Sequence, residues 1–211
     1  MNRKVIVFGG SGKTGQCLLA ELVKRKIHTS AFVRRGSVAK ITIPTLPVFE
    51  GDVLDSNEVN KVFIKEKFTD VVIALGSKDL KATMIRSKGT QNIIDALKWN
   101  DSKVHLHVLS ALGIRESWSQ LQWYNKLISN WLIKPTMNDH TAQEECAVGS
   151  GLPFHITRPV ALKDSARTEK IHKQNEGFLP RNSISRADVA WFMVNGIETE
   201  THGVSSICSG S

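Results

Sequence analysis

The sequence predicts a doubly wound α/β domain built on a mostly parallel sheet, and three observations predict it. Short runs of β-branched and aliphatic residues alternate with amphipathic helical segments along the 211 residues. The first run, Val5 to Phe8, is apolar without a break, as a strand covered on both faces must be. It passes directly into Gly9-Gly10-Ser11-Gly12-Lys13-Thr14-Gly15 and then into a helical pattern with Leu18, Leu19, Leu22 and Val23 on one face.

Each glycine spaced three apart in that turn has a physical use. Gly9 permits the tight exit from the strand, Gly12 lets a phosphate approach the backbone, and Gly15 lets helix and strand pack closely. The unpaired N–H groups of the helix start then favour an anion. Strand, turn and helix in this order make a dinucleotide site of Rossmann type. Two other readings use the same letters. Gly12-Lys13-Thr14 imitates the end of a Walker A loop, but that loop needs a glycine five residues earlier, where Val7 lies inside the strand. A glycine-rich turn without a ligand is the plainer alternative.

Size and composition suit one soluble domain, residues 1–211, with 41% hydrophobic and 23% charged residues. The longest apolar runs are strand-sized, so no membrane span is expected. Met1-Asn2-Arg3-Lys4 leads straight into the first strand, without a signal-peptide pattern. Cys17, Cys146 and Cys208 have neither disulfide nor metal spacing, so a cytoplasmic setting and no metal are expected. The net charge of +8 points to an anionic partner. The basic residues are dispersed and match no nucleic-acid module, which leaves a phosphate-rich cofactor and an acidic small molecule, or a merely solvated basic surface.

The second strand is predicted at Thr29–Val33, ending at Arg34-Arg35. In this fold the end of that strand faces the adenosine ribose. An acid there binds the 2′-hydroxyl of NAD, whereas arginine accommodates the 2′-phosphate of NADP. NADPH is therefore the expected cofactor. Pro47–Glu50 forms a short third strand. Asp52 beyond it either meets adenine, with Val53 over the ring, or caps its own turn. Asp55 or Ser56 N-caps a helix through Lys67. Asp70 to Ser77 is a fourth strand, whose small carboxyl-end residues Ala74-Leu75-Gly76 let the cofactor lie across the sheet. A helix from about Leu80 to Trp99 contains Gly89, a sign of close packing.

Val104–Leu109 is the fifth strand and ends in Ser110-Ala111. Trp118, Trp123 and Trp131 cluster in the next segment, as core, as a lid over a flat substrate or as a subunit contact. Thr136–Asp139 breaks before a helix at His140–Val148, closed by Gly149 and Gly151. A sixth strand, Phe154–Thr157, runs into Arg158-Pro159-Val160. Residues 163–182 are polar and irregular, with a short strand near Lys170-Ile171. Ser185 opens the last helix, and Val204–Ile207 adds an edge strand.

These pieces resemble the atypical short-chain dehydrogenase/reductase proteins of the NmrA-like type. The likeness rests on the opening glycine turn, Val33-Arg34, Gly51-Asp52-Val53-Leu54, Val71–Gly76, Gly89–Ile94, Leu109-Ser110-Ala111, Ser150-Gly151-Leu152 and Ile184–Val189, and covers nearly the whole chain. Within that family it looks most like the biliverdin-IXβ or NADPH-dependent flavin reductase group. The resemblance implies NADPH on Gly9–Gly15, Arg34 at the 2′-phosphate, Asp52 and Val53 near adenine, Ala74–Gly76 under the cofactor and Ser110 near nicotinamide. Pro159, Val160 and Ala161 would border the same pocket. The group's second basic residue falls at Val38 here, so Arg35 or Lys40 would have to substitute. Segment 112–135 matches poorly, and substrate contacts are expected there and in 160–183.

Ordinary members of the superfamily use a Tyr-x-x-x-Lys pair to protonate an alkoxide. The single tyrosine, Tyr124, is followed four residues later by Ile128, and the aligned lysine position holds His140, with Thr136 at the tyrosine position. Alcohol–ketone chemistry, which needs a tuned proton donor, is therefore disfavoured. Hydride transfer to a flavin or linear tetrapyrrole asks less, because the acceptor is delocalised and water can supply the proton. Ser110 would orient the reacting groups and His140 would donate a proton. The alternative is a non-catalytic NADP(H)-binding regulator. A monomer or weak homodimer is expected.

Overall fold

A computed structural model describes residues 3–76, 84–120 and 134–210. Its centre is an eight-stranded sheet in the order β3-β2-β1-β4-β5-β6-β10-β8. The first six are β1 (Lys4–Phe8), β2 (His28–Val33), β3 (Val48–Glu50), β4 (Asp70–Ile73), β5 (His105–Leu109) and β6 (Phe154–Pro159). They are joined by β10 (Gly203–Ser209) and β8 (Ile171–Lys173), and only the β8–β10 pairing is antiparallel. The strand order reverses at β1 and β4, the place where this topology opens a crevice at the carboxyl ends of its strands.

Alternate residues of the central strands feed two cores. Ile6, Phe8, Val71 and Ile73 meet α2 (Ser56–Lys65) and α3 (Ile85–Trp99) through Val59, Phe63, Ile93 and Leu97. Val5, Val7 and Val72 meet α1 (Lys13–Lys24) and α5 (Arg186–Glu198) through Leu18, Leu22, Val189 and Val194. The remaining helix, α4 (Lys134–Val148), packs on α3, as α1 packs on α5. The described architecture is one doubly wound α/β domain, the class the sequence predicts.

Several local expectations change. Thr136–Asp139 does not break the chain but lies within α4, which starts by Lys134, and Pro135 stands in its first turn, where a missing N–H costs little. Val204–Ile207 belongs to an interior strand, because β8 adds antiparallel beyond β10. The helix expected through Lys67 ends at Lys65, and β4 ends at Ile73, so Ala74-Leu75-Gly76 leave the sheet. A parallel pair, β7 (Ala161–Lys163) and β9 (Ser183–Ser185), stands where no strands were expected. Gly89 behaves as expected: a Cβ there would stand 2.7 Å from Leu75 Cδ1 and 3.0 Å from Val53 Cγ1. Trp118 packs on Leu112, Leu179 and Cys208. Ser77, Leu80, Trp123, Tyr124, Ile128 and Trp131 lie outside the described residues.

Candidate nucleotide site

The turn after β1 is shaped by what its glycines exclude. Gly9 takes a positive φ of 86°, and a Cβ there would meet the Ala74 carbonyl oxygen at 2.4 Å. A Cβ on Gly15 would meet the Gly9 carbonyl oxygen at 2.2 Å. The end of β1, the first turn of α1 and the end of β4 can therefore approach this closely only without side chains. Gly12 is the N-cap of α1 and no side chain caps it, so the first N–H groups of the helix remain available to an anion.

The turn opens into a cavity of about 950 Å³. Gly9, Ser11, Gly12, Lys13, Thr14 and Gly15 line one side, Arg34 and Lys40 extend it beyond β2, and Val53 lies nearby. Ala74-Leu75-Gly76 and Ser110-Ala111 line it at the ends of β4 and β5, and Pro159-Val160 at the end of β6. Three expected residues stand apart from the lining. Gly10 backs onto Ala31 and Leu19. The Arg35 guanidinium is engaged by Glu58. Asp52 Oδ1 accepts from the Leu54 N–H at 2.9 Å, so its carboxylate closes its own turn, and Glu58 Oε2 accepts from its N–H at 2.6 Å. Lys40, rather than Arg35, is the second cation facing the cavity.

Other lining residues escaped the sequence reading. Arg86 at the start of α3, Met137 of α4, and Arg181 and Asn182 before β9 reach the cavity, as does Arg186 at the start of α5. Of these only Arg186 stands in a stretch that carries the family resemblance, Ile184–Val189; the packing of distant segments brings all of them to the cavity. Six lining side chains are cationic (Lys13, Arg34, Lys40, Arg86, Arg181 and Arg186), and among the described residues none is acidic. Asp164 stands just outside, 2.6 Å from both Lys13 Nζ and Arg186 Nη1, and ties the glycine turn to α5.

The cavity also collects buried polar atoms without partners among the described residues. They are Ser110 Oγ, Arg86 Nε, Gln120 Oε1 and His140 Nδ1, all on lining residues. Such atoms are costly unless something in the cavity satisfies them. Arg86 is held by Asp139, whose carboxylate accepts from the Arg86 and Ser87 N–H groups at 3.1 and 2.9 Å and so caps α3 from α4. Burial, and then the Arg86 guanidinium, push the His140 imidazole down to about 3, so it is neutral near pH 7. It cannot act there as an imidazolium acid.

A family model described as NAD(P)H-binding matches residues 9–200. The chain belongs to the NAD(P)H-binding family. An uncharacterised chloroplast protein of Arabidopsis thaliana is 26% identical over 205 residues, 94% of this chain and 73% of that protein. The structure resembles the anaerobilin reductase ChuY of Escherichia coli, with a TM-score of 0.81 and 20% identity, covering 98% of this chain and 97% of that one. It resembles equally a short-chain dehydrogenase/reductase of Veillonella parvula solved with NADP, with a TM-score of 0.81 and 15% identity, covering 99% and 95%. These likenesses are of fold. Among the described residues, no helix is long and apolar enough to cross a membrane.

Proposed function

We propose that this protein is a cytoplasmic NADPH-dependent reductase whose acceptor is a flat, conjugated, acidic molecule of the flavin or linear tetrapyrrole class. The observation that carries the reading is the cavity itself: six cations and four unpartnered buried polar atoms stand around a glycine-turn helix start. Backbone N–H groups at Gly12–Gly15 and the Lys13 ammonium would hold the pyrophosphate. Arg34 and Lys40 would hold the 2′-phosphate, which selects NADPH over NADH. Bound there, NADPH supplies a hydride.

This chain's part is mainly to orient and to exclude water. Ser110 Oγ, buried at the end of β5 with no partner among the described residues, would hold the nicotinamide amide or an acceptor carbonyl. The acceptor would lie between Leu112, Val160 and Leu179 on one side and Met137 and His140 on the other. Leu112, Val160 and Leu179 fall in the segments 112–135 and 160–183 where substrate contacts are expected. Arg86 and Arg181, which the cofactor phosphates do not need, would meet the carboxylates or phosphate of the acceptor. The proton follows from water, and neutral His140 can donate an N–H bond to the acceptor without changing its own charge.

The test is a panel assay of NADPH oxidation with flavin mononucleotide, riboflavin, biliverdin and simple quinones. Turnover with a flavin or tetrapyrrole above the enzyme-free rate is expected. Tight NADPH binding with no turnover on any acceptor would replace this reading with that of an NADP(H)-sensing regulator.

A further inference from the structure

The nucleotide cavity lies at the carboxyl ends of the strands, and the amino ends hold a second group of polar side chains. Asp70 opens β4, His105 opens β5, and His107 follows two residues later on the same face. Asp70 is the register partner of His105 on the neighbouring strand, so all three converge on one side of the sheet. They are buried, with His107 and Asp70 fully enclosed and His105 just reaching the surface. A ring nitrogen of each histidine and a carboxylate oxygen of Asp70 lie within 4.8 Å of one another.

Each histidine has one nitrogen fixed and one free. His107 Nε2 sits 3.0 Å from Asp70 Oδ1, and the His105 ring hydrogen-bonds the Phe154 backbone. The remaining atoms, His107 Nδ1 and His105 Nε2, are buried without a partner among the described residues. His105, held at one nitrogen by a carbonyl with the other free, is oriented as metal-binding histidines are, while His107 turns Nε2 toward the Asp70 carboxylate, where a cation would replace their hydrogen bond. On the more open side, the His202 ring stacks on His105 at 4.5 Å. Arg3 also reaches Asp70, at 3.2 Å, and is itself held by Glu200 at 2.8 Å.

We propose that Asp70, His105 and His107 bind one late first-row divalent cation of the Zn²⁺ or Co²⁺ class, remote from the nucleotide cavity. Imidazole nitrogen with one carboxylate suits these ions. Donors around tetrahedral zinc stand roughly 3.3–3.6 Å apart, so a modest rotation of His105 closes the set. His202 or water completes it, and Arg3 keeps Glu200 as its partner. This runs against the sequence expectation of no metal, which considered only the cysteine spacing.

Metal-free protein titrated with Co²⁺ should show one saturable equivalent per chain, with the visible absorption of tetrahedral cobalt, displaced by Zn²⁺. In ¹⁵N-histidine-labelled protein, Zn²⁺ should shift the His105 and His107 imidazole signals selectively. His105→Gln should weaken binding by about tenfold or more and leave NADPH affinity unchanged. Failure to saturate by millimolar cation would overturn the proposal and leave Asp70–His107 as a structural tie between β4 and β5. So would saturable binding that leaves these two imidazoles unmoved. The NMR arm uses the unaltered chain, so a variant that fails to fold does not shelter the idea.

Discussion

Arg34 and Lys40 face the cavity and form no ion pair among the described residues, whereas Arg35 is committed to Glu58. Two adjacent arginines therefore have different work, because successive side chains at a strand end point to opposite faces. Removing a charge-assisted bond to the 2′-phosphate costs about 1.5–3 kcal/mol, or roughly 10- to 150-fold in affinity. Arg34→Ala should weaken NADPH by about that factor and leave NADH nearly unchanged. Lys40→Ala should show the same asymmetry, and Arg35→Ala should stay within about twofold for both cofactors. Fluorescence titration of the three variants with both nucleotides checks this. An equal loss for NADH and NADPH in Arg34→Ala would assign the arginine to the fold instead.

Among the elements, α4 is held by polar pairs more than by an apolar stripe. Its buried residues are Asp139, His140, Gln143, Glu144 and Ala147. Asp139 caps α3, Gln143 Nε2 donates to Thr90 Oγ1 at 3.2 Å, and Glu144 forms a bidentate pair with Arg158 of β6 at 2.9 and 2.6 Å. These bonds place Met137 and His140 against the cavity. Arg158 also meets the more exposed Glu116, at 2.6 Å. Leaving the Glu144 carboxylate buried without its partner costs about 3–5 kcal/mol. Arg158→Met should destabilise the protein by that order, read as a lower urea midpoint at constant slope. Adding Glu144→Leu to Arg158→Met should recover most of the loss, since the uncompensated charge is then gone. A single variant within about 1 kcal/mol of the parent would mean that solvent reaches the pair.

For the molecule as a whole, a neutral histidine enclosed between α3, α4 and the cavity links global stability to pH. His140 titrates at about 3 in the fold, pushed down by burial and by Arg86, with Asp139 opposing. In the unfolded chain a histidine titrates near ~6.5. Between these values the unfolded state binds one more proton, so stability rises with pH across that window. Its full effect is present above about 6.5, and it falls by up to about 1.4 kcal/mol per pH unit on acidification. Comparing His140→Gln with the parent by denaturant unfolding between pH 7.5 and about pH 4.5 isolates this slope. The parent should lose stability faster on acidification, by the equivalent of about one proton. Parallel curves would show that His140 is already solvated.

What the sequence determined by itself is what lies in contiguous stretches. The unbroken apolar strand, the glycine turn and the helix after it carry the fold class and the nucleotide cavity, because their chemistry is complete within the one stretch Lys4–Lys24. The missing Tyr-x-x-x-Lys pair, which steers the proposed chemistry, is legible in the same way. Tertiary structure alone decided which of two adjacent arginines faces the cavity, because Glu58 of α2 captures one of them. It decided that β10 is interior, because β8 arrives antiparallel from an irregular segment. The start of α4 escaped the periodicity, because polar partners on other elements satisfy its buried side chains. Asp70 and the histidines of β5 came together only because parallel register sets residues 35 apart side by side, a proximity that strand pairing alone creates.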